Sequence, residues 1–330
     1  MPDDKELIRN CLSSNYGIEA PKLTLLPLGA DWNASVYQAQ AVDGALYFVK
    51  RKRGRHSDIG VKIVELLHQA GIQEIIPPIK TLQGQPSQNL EDGLLIVYPF
   101  IRGEDGFSRS LTEMQWRKLG KALRRIHDMD VPQTIQNQIR REDYSPKWRQ
   151  AVRGLYHLFE SEPAGDEIAM KLRKFIKGHL SAIRRLVDRA EQLGQKLQYQ
   201  EHKFVLCHSD IHGGNVLMVG SNFLYIVDWD DPIMAPKERD LMFIGGGVAN
   251  VWNKVHEEEL FYQGYGKTDV NPLILAYYRH ERIVEDIAEY AQKLLLTTTG
   301  GDERSVMYKQ FTDMFEPNGV VDIALNMNSI

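Results

Sequence analysis

The spacing of apolar residues changes character once along this chain, near residue 102, and the change dictates two architectures in succession. Before it, apolar residues come in strand-length runs, Leu23 to Leu28, Ser35 to Val42, Ala45 to Lys50, Ile75 to Leu82 and Leu94 to Pro99, parted by turn-prone clusters. After it they recur every three or four residues over long stretches, the spacing of a helix that buries one face. The segment Ile101-Arg102-Gly103-Glu104-Asp105-Gly106 reads as the connector. The expected fold class is α+β: a small antiparallel sheet plus helix over residues 1–102, then a larger, mainly helical part over residues 103–330. A chain of 330 residues also exceeds what one core usually organises, so two lobes are expected, with the chemistry in the cleft between them.

Local signals place the elements. Residues 5–15 read as a helix, and Asp43-Gly44 predicts a two-residue hairpin between the second and third strands. Alternation along the third strand puts Lys50 on the face of Phe48 and Leu46, an unusual place for a purely solvated lysine. Ser57 as N-cap, Ile59, Ile63, Leu66, Leu67 and Ala70 at helical spacing, and Gly71 beyond them predict the next helix. Thr112-Glu113-Met114-Gln115 is a capping-box pattern that opens a helix carrying Leu119, Leu123 and Ile126. Residues 146–200 are expected to be helical, broken between Ser161 and Gly165 where Pro163 stands. Phe204 to Cys207 and Phe223 to Val227 are strand-length, and helices return from about Pro236.

Charge and composition exclude several function classes. Forty basic against 44 acidic residues leave a net charge of −4, with no basic field for nucleic acid. The run Lys50-Arg51-Lys52-Arg53-Gly54-Arg55 reads as a solvated strand end and loop, the alternative being that one member contacts phosphate or nucleotide. Two distant cysteines, Cys11 and Cys207, and an opening Met-Pro-Asp-Asp-Lys suit a reducing cytoplasm. The longest apolar run, Leu94 to Ile101, is far short of the roughly 20 residues of a spanning helix, so no membrane segment is expected. Nothing in the chain calls for an obligate protein partner.

The chemistry concentrates in Val205 to Leu217 and Tyr225 to Asp230. Phosphoryl transfer needs an acceptor for a hydroxyl proton and hard oxygen ligands for Mg²⁺, while most of the barrier falls by positioning and charge neutralisation. Asp210, on a loop after an apolar strand, suits the first task. Asn215, five residues on, and Asp228, at the end of the next strand, suit the second. The same loop also contains His208, Asp210 and His212, a spacing that could face one transition metal. That reading leaves Lys50, Asn215 and Asp228 without a role.

His208-x-Asp210-x-x-x-x-Asn215 followed by a strand and Asp228 resembles the catalytic and metal-binding loops of the protein kinase-like fold. Asp228-Trp229-Asp230 in place of Asp-Phe-Gly, with Ser209 before the catalytic aspartate, is similar to the aminoglycoside phosphotransferase family. The resemblance implies a bilobal kinase-like fold, ATP and Mg²⁺ as cofactors, and a small-molecule substrate. It implies Asp210 as base, Asn215 and Asp228 as metal ligands, and Lys50 as the lysine that contacts the nucleotide phosphates. Asp58 or Glu65 would pair with Lys50, and backbone groups near Pro99 and Ile101 would hold the adenine. Asp240, with His208, would brace the catalytic loop, whereas His127 reads as a packed helix-end residue. The loop Gly29 to Ala34 would cover the phosphates, although Gly29 is its only glycine.

Longer strings, Tyr144 to Trp148, Ala235 to Gly247 and Tyr277 to Asp286, resemble the branch of that family that phosphorylates spectinomycin, over nearly the whole chain. This implies a rigid cationic aminocyclitol as substrate, in a pocket of carboxylates and aromatic walls. Candidate carboxylates are Asp230, Asp231 and Glu238, just after the metal ligand, and Glu281 and Glu285, four apart on one helix face near Tyr277 and Tyr278, although the last two could equally pair with Arg279 or Arg282. Trp252 would line the pocket or fill the core. A kinase of choline or a methylthio sugar, and a nucleotide-sensing pseudokinase, are the alternatives.

Overall fold

The computed structural model describes residues 4–26, 33–54, 57–161, 165–298 and 300–327. The chain opens with α1 (Asp4–Tyr16), β1 (Lys22–Leu26), β2 (Ala34–Gln40), β3 (Leu46–Arg53) and α2 (Ile59–Gln69). β4 (Gln88–Leu90), β5 (Gly93–Pro99), β6 (Glu104–Asp105), α3 (Glu113–His127), α4 (Gln133–Gln136) and β7 (Arg140–Arg141) follow. Next come α5 (Lys147–Glu160), α6 (Glu167–Leu197), β8 (Val205–Cys207), β9 (Val216–Val219), β10 (Phe223–Ile226) and β11 (Ile233–Ala235). The remainder is helical: α7 (Glu238–Leu241), α8 (Val255–Tyr265), α9 (Pro272–Leu296), α10 (Glu303–Asp313) and α11 (Val320–Asn326). Two compact units result. One comprises residues 1–115, 130–139 and 214–232, the other residues 116–129, 140–213 and 233–330.

The first unit is built on an antiparallel sheet in the order β1-β2-β3-β5-β4. Alternation sends Tyr37, Val49, Leu95 and Val97 to one face, where they bury Ile8, Leu12 and Tyr16 of α1. The other face carries Ile96 and Tyr98 packed against Val61 of α2, and Lys50 pairs with Ile96 in register on that face. The β2–β3 hairpin is one residue longer than Asp43-Gly44 suggested. Ala41 and Ala45 close it, and within that turn only Gly44 has a positive φ, +87°. One left-handed glycine after a type I turn fits a three-residue loop, whereas a two-residue type I′ turn needs two positive φ values. The expected strand Ile75 to Leu82 is not one: Pro77 and Pro78 offer no N–H, and Ile79 reaches the sheet by donating to Val97. β4 takes the sheet edge instead.

A second small sheet, β10-β9-β6, belongs to the same unit. The Thr112 to Gln115 capping box forms in both directions: Gln115 N–H donates to Thr112 Oγ1 at 3.2 Å, and Thr112 N–H to Gln115 Oε1 at 3.0 Å. Gln115 is fully buried, and its amide nitrogen also donates to the carbonyls of Gly220 (3.1 Å) and Phe223 (2.8 Å), tying the helix start to the β9–β10 hairpin.

The core of the second unit is made by α5, α6, α9, α10 and α11, around Phe159, Ile183, Leu186, Ile287 and Phe311. The expected break falls between α5 and α6, and Asp166 caps α6 by accepting from Ala169 N–H at 2.8 Å. Asn271 caps α9, with Pro272 in the first turn where its missing N–H costs no bond. The sheet β7-β11-β8 joins this unit, β11 running antiparallel to β8 and parallel to β7. No helix among the described residues is long and apolar enough to cross a membrane.

Candidate active site

In the first unit, Lys50 lies between two carboxylates, its Nζ 2.7 Å from Asp228 Oδ1 and 2.7 Å from Asp230 Oδ2. Burial works against its charge, yet the two anions outweigh burial and hold the ammonium above the usual lysine range. Lys52, two residues on and on the same face, places its Nζ 2.8 Å from Asp230 Oδ2. Burial opposes ionisation of Asp230, and the two lysines overcome it, holding the carboxyl below its usual range. From Lys50 to Arg53 the basic run is therefore not a solvated strand end, and Arg55 lies outside the described residues. Lys50 and Lys52 face the Asp228–Asp230 turn, while Arg51 and Arg53 pair with Asp4 of α1 on the other side, and Arg51 also grips Asp92 bidentately at 2.7 and 2.9 Å. Lys52 was not singled out from the sequence, although its two-residue offset from Lys50 was the available signal.

Neither anticipated helix acid reaches Lys50: Asp58 pairs with Lys62 at 2.9 Å and Glu65 with Lys80 at 2.8 Å. Asp228 and Asp230 lie closer through space, and a buried ammonium needs one compensating cluster, not four anions. Asp228 adopts φ +63°, the left-handed region sparsely populated by non-glycine residues. It is held from both sides. Val227 N–H donates to the Asn215 carbonyl at 3.0 Å, and Trp229, 4% exposed, donates its indole N–H to Ile226. Asn215 is itself buried. Gly60 of α2 abuts this turn so closely that a Cβ there would stand 1.9 Å from the Trp229 carbonyl oxygen. Pro99 ends β5 and Ile101 lies just beyond it, both half-buried, while Phe100 N–H donates to Leu46. Most of the Gly29 to Ala34 loop lies outside the described residues.

In the second unit, Asp240 is fully buried and gathers three donors: His208 N–H at 2.9 Å, Ser209 N–H at 2.7 Å and His127 Nε2 at 3.0 Å. Burial opposes its charge, and His127 with the other donors prevails, so the carboxylate stays ionised. These bonds hold Ser209 at φ +74° immediately before Asp210. His127 completes the brace through Tyr265, 2.8 Å from its Nδ1. His127, Cys207 and Asp240 could bring three ligand atoms within 4.8 Å, yet the histidine and the carboxylate are engaged in this hydrogen-bond brace. His208 Nδ1 accepts the Asp210 N–H at 3.2 Å, which turns that nitrogen back into the loop and argues against the His208-Asp210-His212 metal array.

The Asp210 side chain is 40% exposed and faces Arg282, whose Nη1 is 2.6 Å from Oδ1, and His212, whose Nε2 is 3.4 Å from Oδ2. Burial would raise its pKa, but Arg282, then His212 and His208, hold it far below the carboxylate range. Arg282, 72 residues away in sequence, was anticipated only as a partner of the helix acids. No local pattern marks such a pair.

The remaining carboxylates differ in their surroundings. Asp230 serves the two lysines. Glu238 is buried and accepts from the N–H of Asn271, the cap of α9. Glu281, also buried, is 2.6 Å from Arg149, rather than from Arg279 or Arg282; burial, only partly offset by Arg149, pushes it up to about 7. Asp231 is exposed. Glu285 is half-buried on α9, where its charge acts on Arg282. Trp252 is buried edge-on against Trp116, 5.1 Å between ring centroids, and thus fills core.

The family model described as the phosphotransferase enzyme family matches residues 24–267. Among solved structures, spectinomycin phosphotransferase APH(9)-Ia in complex with ADP and spectinomycin is 48% identical, with a TM-score of 0.93 and coverage of 100% of both chains. The amicoumacin kinase hAmiN is 16% identical at a TM-score of 0.64, covering 96% of this chain and 95% of its own, a likeness of fold alone. Protein StrN of Streptomyces griseus is 22% identical over 310 residues, 91% of this chain and 89% of that protein.

Proposed function

The chain belongs to the phosphotransferase enzyme family, with its kinase-like fold, and from that footing we propose that it transfers the γ-phosphoryl group of ATP to a hydroxyl of spectinomycin or a closely similar cationic aminocyclitol. The observation that carries the substrate is 48% identity, at full coverage of both chains, to an enzyme seen with ADP and spectinomycin. The two buried, unbridged cysteines accord with work in the cytoplasm.

In this reading Lys50 is the phosphate-binding cation, kept charged by Asp228 and Asp230 until the nucleotide's own anions arrive. Pro99 and Ile101 contribute backbone groups to the adenine. Asn215 and Asp228 fit a magnesium ion, as one neutral and one anionic hard oxygen donor whose backbones are joined through Val227. What a bound magnesium ion supplies is neutralisation of charge on the phosphate oxygens. Asp210 orients the substrate hydroxyl. The hydroxyl oxygen bonds to the γ-phosphorus as the bond from that phosphorus to its bridging oxygen breaks, ADP leaves with the electron pair, and the hydroxyl proton passes to Asp210 and then to water. Of the carboxylates proposed to meet the substrate's ammonium groups, Asp230, Glu238 and Glu281 are held in hydrogen bonds to Lys50, Asn271 and Arg149, whereas Glu285 acts on Arg282 by charge, and Glu285 is favoured for that contact.

The test is ADP release measured across spectinomycin, aminoglycosides, choline and methylthioribose, with the phosphorylated product identified by ³¹P NMR. Spectinomycin should give the highest kcat/KM, and Asp210→Asn should abolish most turnover while ATP binding persists. Preference for another panel member would overturn the substrate. Tight ATP binding with no stimulated ADP release would favour a sensing module.

A further inference from the structure

We propose that Arg282 is a positioning residue for the transfer reaction: it fixes the rotation of the Asp210 carboxylate from which the substrate hydroxyl is met. The proposal rests on the reading of Asp210 as the base and adds a residue from α9 to that site.

The geometry comes from three sides. Arg282 Nη1 reaches Asp210 Oδ1 at 2.6 Å, its Nε reaches Asp286 Oδ1 at 3.1 Å one turn along α9, and its guanidinium carbon stands 5.7 Å from the centre of the Phe243 ring. Phe243 is 1% exposed and cannot yield. A planar guanidinium held at Nε by an anion and flanked by an aromatic ring presents Nη1 in one direction. The loop bonds to Asp240 fix the backbone before Asp210, but backbone bonds leave the two side-chain torsions of an aspartate open. Arg282, at 2.6 Å from Oδ1, makes the shorter of the two side-chain contacts that close them, the other being His212 at 3.4 Å from Oδ2.

Among the groups acting on Asp210 are Arg282 from α9 and His212 and His208 from its own loop, while Asp286 and Glu285 act on the arginine and Glu289 acts on Asp286. Burial pushes Asp286 up to about 6, so Arg282 is shared between a strongly ionised carboxylate and a weakly ionised one. This arrangement makes Asp210 a weak proton acceptor in the resting enzyme. A loose phosphoryl-transfer transition state places little charge on the attacking oxygen, so the reaction needs a carboxylate that is ionised and correctly turned more than one that is strongly basic. An arginine clamp supplies both properties.

Arg282→Met tests this. Without its shorter contact at Oδ1, Asp210 turns and misplaces the hydroxyl on the scale of an ångström, which should lower kcat by about 10²-fold, with ATP affinity unchanged. The acid limb of kcat/KM should move up by at least about one pH unit, because the removed charge is the largest of those holding Asp210 ionised. Arg282→Lys retains the charge without the fork, and should keep the low acid limb while restoring only part of kcat. If Arg282→Met fails to fold by circular dichroism, Asp286→Ala decides, since it leaves Arg282 in place and removes the acceptor that anchors its Nε: kcat should fall severalfold, and an unchanged kcat overturns the proposal. A folded Arg282→Met with kcat within about threefold of wild type and an unmoved acid limb overturns it as well. Asp210→Asn separates the two readings: if that variant stays active the base assignment is at fault, and if it is inactive while Arg282→Met is normal, the arginine's role is.

Discussion

Replacing Gly60 by alanine should damage the enzyme although helix propensity argues for improvement. Gly60 lies in the first turn of α2, and alanine in a helix is favoured over glycine by up to about 1 kcal/mol. The added methyl, however, would stand 1.9 Å from the Trp229 carbonyl oxygen and 3.0 Å from its carbon. Carbon–oxygen contacts settle near 3.3–3.6 Å, so α2 and the Asp228–Asp230 turn must part by roughly 1.4 Å. Both contacts are backbone, so no rotamer change relieves them. Overpacking of this kind costs about 1–3 kcal/mol, which offsets or exceeds the propensity gain. The functional loss should be larger than the stability loss. Trp229 sits between Asp228 and Asp230, both at 2.7 Å from Lys50, and displacement of the turn by an ångström should lower kcat/KM about 10²-fold. Calorimetry, ATP titration and steady-state kinetics on one preparation check this: a slightly lowered melting temperature, weakened ATP binding and strongly reduced turnover are expected. A variant with a raised melting temperature and kcat/KM within threefold of wild type would refute the reasoning.

Asp240→Asn replaces an acceptor of three donors by an amide with one acceptor oxygen, and should destabilise the fold by about 2–4 kcal/mol in urea titration while lowering kcat more than tenfold. Gln115→Ala removes the reciprocal half of the capping box, in which Thr112 N–H donates to Gln115 Oε1, and two buried bonds to the β9–β10 hairpin; a loss of about 1–3 kcal/mol is expected, and a change under 0.5 would contradict it. Glu281 titrates near 7 in the folded chain against an ordinary value of 4.5, so the folded state holds the extra proton between those values. Its contribution is therefore fully present below about 4.5 and is lost as pH rises through 7. Glu281→Gln should consequently gain in melting temperature relative to wild type between pH 5 and pH 8, and parallel curves would count against this origin.

Much of the first unit was legible because its signals are local. Alternation in Ala45 to Lys50 placed Lys50 on the correct face, and the Thr112 to Gln115 pattern specified a cap that depends on four consecutive residues. The misreadings have equally physical origins. Ile75 to Leu82 has strand composition, but its paired prolines withhold ladder donors. β6 and β7 are two residues long and owe their existence to distant partners. Lys52 was read with a solvated run because charge in sequence does not disclose which face of a strand is covered.

The sequence by itself determined which chemical groups are available: a lysine at a strand end, and Asp210, Asn215 and Asp228 at a spacing that suits phosphoryl transfer. It also determined most helices and strands, since those follow from residue periodicity and capping. The tertiary structure decided how those groups are partnered. Lys50 takes Asp228 and Asp230 in place of Asp58 or Glu65, Glu281 takes Arg149, and Asp210 takes Arg282 from 72 residues away. The reason is desolvation. A charge removed from water must find an opposite charge within a few ångströms, and which one it finds depends on distance through space, not along the chain.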